Sequence, residues 1–377
     1  MSIEVPDTTV ERLHRLLADR HCGADGLVGP DPGIRLNYRV GRFVKSYLRG
    51  VPWRDDLYYL QAQAYWTLAN WRLYNLTGDD DARDLATACA RGMLVRQRAD
   101  GGWDYPNPEW RGRVANAEGT WAAIGLAETY RRTGDHAFAD GALRWHRFLD
   151  EEVGYVAADG GLAVNYFAGR TGPPVPNNSA FVLRLLAELA DALHDSRLLA
   201  RAPALIGFLG AAQRPSGELP YQIGVDGGPV RPHFQCPQYN AFQCLDLIRY
   251  RTLTGDDDVT PIIGRLLSFL CSAVEADGEI PYACDQRFPR VTYHKSVTAA
   301  AMREGARLGH DGCDEVADRI IRALLPLQRE DGGFPHSFRN YGVLSDQRSY
   351  PRSLAMILDH LLVFDPRPRR VLGEVLH

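Results

Sequence analysis

The side chains able to do chemistry in this chain gather in short clusters at a regular interval. Ahead of, or at the start of, successive helical runs stand Tyr58, Tyr59 and Gln61; Asn116 and Glu118; Asn177 and Asn178; Gln238, Tyr239 and Asn240; Tyr293, His294 and Lys295; and Tyr350 with Arg352. Glycine-bearing loops between those runs add Asp104, Tyr105, Asn165, Tyr166, Tyr221, Tyr282, Asp285 and His336. Helix capping accounts for an occasional Asn. A cap needs Ser, Thr, Asp or Asn, however, and so many Tyr, Gln, His and Arg fall outside that explanation. Gathered around one cavity, such a set suits a polyhydroxylated ligand, because aromatic faces stack on sugar rings and amides pair with hydroxyls. The expected partner is a saccharide.

Two sugar chemistries fit these residue types. Hydrolysis needs two carboxylates about 5–5.5 Å or 6.5–9.5 Å apart across the bond, and Glu118, Asp104 and Asp285 are the acids in position. Proton abstraction beside a uronic-acid carboxylate, as in a C5-epimerase or lyase, needs a base and positive charge over the developing enolate. Tyr239, His294 and Tyr350 offer the base, while Asn178, Lys295 and Arg352 offer neutralisation. Basic and amide groups outnumber carboxylates, which favours the uronate route. The catalytic set is thus expected among Tyr239, His294, Tyr350, Glu118 and Asp285. Binding falls to Tyr58, Tyr59, Asp104, Tyr105, Asn116, Asn165, Tyr166, Asn177, Asn178, Gln238, Asn240, Tyr293, Lys295 and Arg352.

No cofactor is required by either route. Zinc is the one metal with matching residues, Cys236, Cys284 and His294, with Cys244, His233 and Asp285 nearby, since tetrahedral zinc accepts Cys, His and Asp. Buried free cysteines also serve as small apolar residues, and that is the default expectation here.

A repeat positions these groups. Gln97-Arg98-Ala99-Asp100-Gly101-Gly102-Trp103 returns as Gln328-Arg329-Glu330-Asp331-Gly332-Gly333-Phe334. Echoes lie at Asp159-Gly160-Gly161-Leu162, Gln213-Arg214-Pro215-Ser216-Gly217-Glu218-Leu219 and Asp277-Gly278-Glu279-Ile280, about 54 to 61 residues apart. Self-similarity at this period marks a repeat architecture. Each unit reads as a helix pair: Leu60–Leu76 with Arg83–Arg98, Glu118–Arg132 with Phe138–Glu151, Ser179–Leu193 with Leu198–Gln213, Ala241–Leu253 with Ile262–Val274, and Val297–Leu308 with Glu315–Gln328. Ser353–Phe364 is a sixth first-type helix. Thr-Gly-Asp turns at residues 77–79, 133–135 and 254–256 are short enough to make the paired helices antiparallel. Those turns share one rim and the Asp-Gly loops the other. First-type helices are apolar on most sides and belong inside; the others are amphipathic and belong outside. The expected fold is all-α, one (α/α)6 toroid over residues 1–377. Its repeats start near residue 57, and segment 1–56 packs on or closes the ring. The helix near Val10–Leu17 or the tail near Val371 would fill the one open outer place.

The rest of the composition narrows the class. Apolar residues at 45% and charged residues at 24% are ordinary for a globular chain, and a net charge of -4 gives no polyanion-binding signature, so nucleic acid is not an expected partner. No apolar run reaches the ~20 residues of a spanning helix, and the start of the chain lacks the basic and apolar parts of a secretory leader. A cytoplasmic location follows as the expectation, with all seven cysteines as reduced thiols.

The Gln-x-x-Asp-Gly-Gly-Trp/Phe phrase resembles the signature of the α/α-toroid superfamily of terpenoid cyclases and protein prenyltransferases, over roughly residues 57 to 365. Similar Asp-Gly-Gly turns occur in (α/α) carbohydrate-active enzymes. The whole-chain pattern also resembles toroid proteins encoded with bacterial exopolysaccharide biosynthesis. The resemblance implies structural roles for Gln97, Trp103, Gln328 and Phe334. It also implies comparable zinc ligands, as prenyltransferases and lanthionine cyclases carry them. The cyclase acid is not matched: Asp79-Asp80-Asp81 and Asp256-Asp257-Asp258 follow the Thr-Gly turns, where they read as helix caps. An isoprenoid cyclase with another acid and a non-catalytic saccharide-binding protein are the competing expectations.

Overall fold

A computed structural model describes residues 3–31, 56–224, 233–340 and 344–365. Among them are twelve α-helices: α1 (Asp7–Arg20), α2 (Leu60–Thr77), α3 (Asp80–Val95), α4 (Asn116–Thr133), α5 (His136–Phe148), α6 (Pro176–Leu193), α7 (Ala202–Ala212), α8 (Cys236–Thr254), α9 (Thr260–Ala273), α10 (Thr292–Arg307), α11 (Cys313–Leu324) and α12 (Pro351–Leu361). The even-numbered helices form an inner ring, α12 packing back on α2, and the odd-numbered ones surround it. The inner helices are buried on nearly all sides. In α6, for example, Ala180, Phe181, Val182, Leu183, Leu185, Leu186 and Ala187 are all interior. Outer α11 buries one stripe, Val316, Ala317, Ile320, Ile321 and Leu324, as an amphipathic covering helix must.

One rim is made by tight turns. Gly78, Gly134 and Gly255 end α2, α4 and α8 in left-handed backbone. Asp79, Asp135 and Asp256 then accept hydrogen bonds from the amides two residues on. The acidic triplets are therefore caps. In the fourth such turn, after α6, His194 takes the left-handed position with φ 52° and Asp195 the cap.

The opposite rim carries the Asp-Gly loops, and a single glutamine geometry recurs there. Gln97 Nε2 donates to the carbonyls of Gly101 in its own turn and of Gly141 in the next outer helix, at 3.0 and 2.9 Å. Gln213 does the same to Gly217 and Ile262, at 2.8 and 3.1 Å. Gln328 reaches Gly332 and Thr9, both at 2.9 Å. Thr9 belongs to α1, so α1 is the sixth outer helix and the ring closes between the first and last repeats. The expected helix at Val10–Leu17 fills the open place; Val371 lies outside the described residues.

The same loops seat a positive-φ glycine against a carbonyl of the next outer helix. Gly332, with φ +89°, leaves only 2.4 Å between a hypothetical Cβ and Arg12 O. Gly332→Ala is expected to destabilise by more than about 1–3 kcal/mol, because left-handed strain and a backbone clash coincide. Chemical denaturation reads it; a loss under 0.5 kcal/mol would show that the closure tolerates a side chain.

Short strands line this rim. β1 (Cys22–Gly23) pairs with β2 (Gly26–Leu27) and β3 (Tyr155–Ala158) with β4 (Gly161–Val164), while β5 (Arg290–Val291), β6 (Ser337–Asn340) and β7 (Leu344–Asp346) form one small sheet. The β1–β2 turn, Ala24-Asp25-Gly26, is a sixth copy of the Asp-Gly loop, and Gly92 of α3 packs against the Asp25 carbonyl. Its short strands hid it from the sequence reading.

Candidate functional site

The loop rim opens into a cavity of about 370 Å³ on the ring axis. Its wall rises from the first turns of the inner helices. Apart from α2, which starts at Leu60 as expected, these helices begin two to five residues earlier than the hydrophobic pattern predicts, since Asn177, Asn178, Gln238, Tyr239, Tyr293 and His294 are themselves helical. Polar and aromatic residues in those turns mask the apolar period. Of the predicted set, Tyr105, Glu118, Tyr166, Asn177, Asn178, Gln238, Tyr239, Tyr293, His294 and Arg352 line the cavity. Gln61, Tyr221, Tyr282 and His336 join them, as do Trp121, Phe181, Phe234 and Phe242, whose apolar types gave no functional signal.

The remaining predicted residues are held elsewhere. Tyr58 donates from its hydroxyl to Asp25 O at 3.0 Å, under the Arg96 guanidinium. Tyr59 is buried beneath Arg352, whose guanidinium lies 4.6 Å from its ring centre. Asp104 is exposed and paired with Arg98 at 3.2 Å. Asn116 Oδ1 accepts from Thr120 at 2.8 Å, and Asn165 Nδ2 donates to Val153 O at 2.9 Å. Asn240 clasps the Gly217 loop, accepting from Leu219 N at 2.7 Å and donating to Leu219 O at 3.0 Å. Tyr350 donates to Asp346 at 3.0 Å. Lys295 is buried and paired with Glu279 at 2.8 Å, so its charge does not face the cavity. Asp285 is exposed outside it.

Two cysteines depart from the reduced state expected for all seven. Cys236, the first residue of α8, is joined to Cys284 by a disulfide. His294 is not beside them; the ligand-type side chains that are near are Glu218 and His233.

The cavity's electrostatics are set by burial. Burial pushes the Glu118 carboxyl up to about 7, against the pull of Arg352 and of the Gln61 and Leu60 amides. It drives His294 down to about 3, with His336 and Lys295 acting in the same direction, so the imidazole is neutral. Burial likewise raises the phenols of Tyr105, Tyr166, Tyr239 and Tyr293. They are hydrogen-bond donors at neutral pH, which removes Tyr239 as a ready base. Arg352 makes a two-point ion pair with Asp31, at 2.8 and 3.0 Å. Asp31 lies in the Gly/Pro-rich passage for which the sequence offers no structural signal.

Several cavity side chains have polar atoms that are buried without a protein partner among the described residues: Asn177 Oδ1, Asn178 Nδ2, Gln238 Oε1 and both ring nitrogens of His294. Native interiors leave few such atoms, and each costs about 1–3 kcal/mol. Their convergence on one cavity marks a site built for a polar ligand.

A larger cavity, about 620 Å³, opens at the tight-turn rim. Its charges satisfy one another: Arg72 with Asp359 at 3.0 Å, Arg132 with Glu128 at 2.8 Å, Arg249 with Glu188 at 2.9 Å. Phe242 and Asp246 line both cavities and separate them. Size alone therefore does not choose the site; the unpartnered amide and imidazole atoms do, whereas Arg184 Nε and Asp246 Oδ2, orphaned atoms of the tight-turn cavity, belong to side chains paired with each other. No helix among the described residues is long and apolar enough to cross a membrane.

No family model matches the sequence, and no curated protein is significantly similar to it. Solved structures do match. Cellobiose 2-epimerase from Bacillus thermoamylovorans superposes with a TM-score of 0.73 at 14% identity, covering 95% of this chain and 99% of that one. A sugar epimerase from a ruminal bacterium gives 0.70 at 14% identity over 94% and 98%. An unsaturated glucuronyl hydrolase specific for heparin gives 0.66 at 14% identity over 95% of each. At this identity the likeness fixes the fold alone: the described residues form an (α/α)6 toroid like that of those structures.

Proposed function

We propose that the protein is a cytoplasmic sugar epimerase or isomerase that moves a proton at the carbon beside the carbonyl of a neutral reducing saccharide. The observation that carries this reading is the buried imidazole of His294, with neither ring nitrogen partnered, among Asn177, Asn178 and Gln238. A neutral imidazole accepts a proton, and the amides match hydroxyls. Because burial makes His294 a weak base, abstraction has to be coupled to donation at the carbonyl oxygen. The protonated phenols of Tyr239 and Tyr293 and the carboxyl of Glu118, pushed up to about 7, supply such donors for the enediolate. His336, whose ring stacks with Tyr293 at 6.4 Å, is the second imidazole on this wall and would return the proton.

Charge separates this reading from the two sugar chemistries expected at first. A uronate buried here needs an unneutralised cation, yet Arg352 is engaged by Asp31 and Lys295 by Glu279. Hydrolysis needs a second carboxylate facing Glu118, yet Asp104 and Asp285 stand outside the cavity, and Asp246, which does line it, is held by Arg184 at 3.2 Å. The name of the cellobiose 2-epimerase agrees with a neutral sugar, whereas that of the unsaturated glucuronyl hydrolase specific for heparin names a uronate, so the choice rests on the charges.

Incubation with reducing disaccharides in D2O tests this. Deuterium should enter at C2 and a C2 epimer or ketose should appear by NMR. Exchange or elimination confined to uronate oligosaccharides would instead restore the C5 route. Binding without any exchange would leave a saccharide-binding protein.

A further inference from the structure

We propose that, in the reduced protein, Glu218, His233, Cys236 and Cys284 bind one zinc ion at the cavity rim. The four offer a carboxylate oxygen, a ring nitrogen and two sulfurs, all within 4.8 Å of one another. His233 Nδ1 lies 3.1 Å and Cys284 Sγ 3.6 Å from the same Glu218 Oε1. Tetrahedral zinc with bonds of about 2.0–2.3 Å sets its ligand atoms roughly 3.3–3.8 Å apart, so these two separations need little adjustment, while the two sulfurs, bonded to each other here, have to part on reduction. Glu218 is also buried, 2% exposed, with an imidazole and a sulfur as its side-chain neighbours. A buried carboxylate beside two thiolates calls for a compensating cation, and a divalent ion supplies it.

The ligands come from two successive loops. Glu218 follows the Gly217 turn, His233 lies in the turn just before α8, Cys236 opens that helix, and Cys284 follows the Gly278 turn. Phe234, Gln235 and Tyr282, which sit among these ligands in sequence, line the cavity, and Gln235 Nε2 donates to the Tyr282 hydroxyl at 2.7 Å. With four protein ligands the ion is structural, pinning these wall loops. The disulfide is the other state of the same residues. A disulfide oxidant such as oxidised glutathione takes two electrons from the two thiolates, becomes two glutathione thiolates, and the Cys236–Cys284 bond forms as zinc leaves. The proposal does not rest on the sugar reading, and none of its readouts uses turnover.

The test uses the full chain, reduced with a phosphine under argon, desalted, and titrated with zinc or cobalt(II). One zinc per chain should survive desalting, and the cobalt form should show thiolate-to-metal charge transfer with tetrahedral d–d bands. Cys236→Ser, Cys284→Ser and His233→Ala should each lose stoichiometric binding, while Cys244→Ser keeps it. Circular dichroism confirms that each variant is folded. Added oxidised glutathione should release the ion as two thiols disappear. Reduced protein that takes up no zinc overturns the proposal, as does binding that survives loss of both cysteines.

Discussion

His294→Phe is expected to lower the rate of C2 proton exchange by about 10²–10⁴, the usual contribution of a positioned acid or base, while leaving the protein as stable or more so. The two halves share one cause. His294 is buried with both ring nitrogens unsatisfied, so an apolar ring of similar size removes a penalty of about 1–3 kcal/mol. It also keeps the contact with Tyr282, whose ring centre is 6.1 Å away. A residue kept for packing behaves oppositely, since its replacement unfolds the protein without a specific kinetic effect. Exchange in D2O and a thermal melt read both. Activity within tenfold of the parent, or a sharply lowered melting point, would sink the assignment.

Stability should stay nearly level from about pH 6 to 4.5 and then collapse below about pH 4. His294 and His360 are both driven by burial from 6.5 to about 3. Between those values the unfolded chain holds two protons that the native state lacks, so each histidine removes about 1.4 kcal/mol per unit as pH falls. Glu118 and Asp246 work the other way. Burial raises them from 4.5 to about 7 and from 3.8 to about 6, so above their ordinary values the native state holds two protons that the unfolded chain lacks. The two pairs cancel over the level stretch, and the raised carboxyl of Glu218 offsets part of the fall contributed by His14, His21 and His146, which burial lowers. Below about pH 4 the carboxyls are protonated in both states and only the histidine loss remains. Glu188 adds to it, because Arg249, Arg131 and Arg184 outweigh its burial and hold it below the usual carboxylate range. Urea titrations across pH 3–7 should give a knee near pH 4, and His360→Phe should shallow the acid limb. A smooth decline from pH 6.5, without a level stretch, contradicts this balance.

The ring itself was legible because its determinants are local. Thr-Gly-Asp turns and the Gln-to-glycine-loop clasp each lie within a few residues, and they recur. The roles of Gln97 and Gln328 are visible in one repeat. Side-chain partnerships across repeats were not. Lys295 and Arg352 look alike as positive charges at a helix start, yet Glu279 draws one away while Asp31, from the opposite end of the chain, holds the other in the cavity wall. The same holds for Cys236 and Cys284, drawn together across 48 residues by loops whose course no local pattern encodes. Composition identified a polar, aromatic mouth; only the packed ring shows which of those groups lack partners.

The clasp of Gln328 on Thr9, reinforced by Arg12 donating to the carbonyls of Arg329 and Glu330 at 2.7 and 2.8 Å, also bears on synthesis. A helix made among the first residues has its docking surface on one of the last. On the ribosome, at about 5–20 residues per second, Leu13, Leu16 and Leu17 therefore wait some tens of seconds for the groove that buries them. The nascent chain can pair its middle hairpins in that interval, but it remains an open arc with an apolar flank at each end. Chaperone capture during translation, and sensitivity to premature stops even within the last repeat, are built into a chain that fastens its beginning to its end.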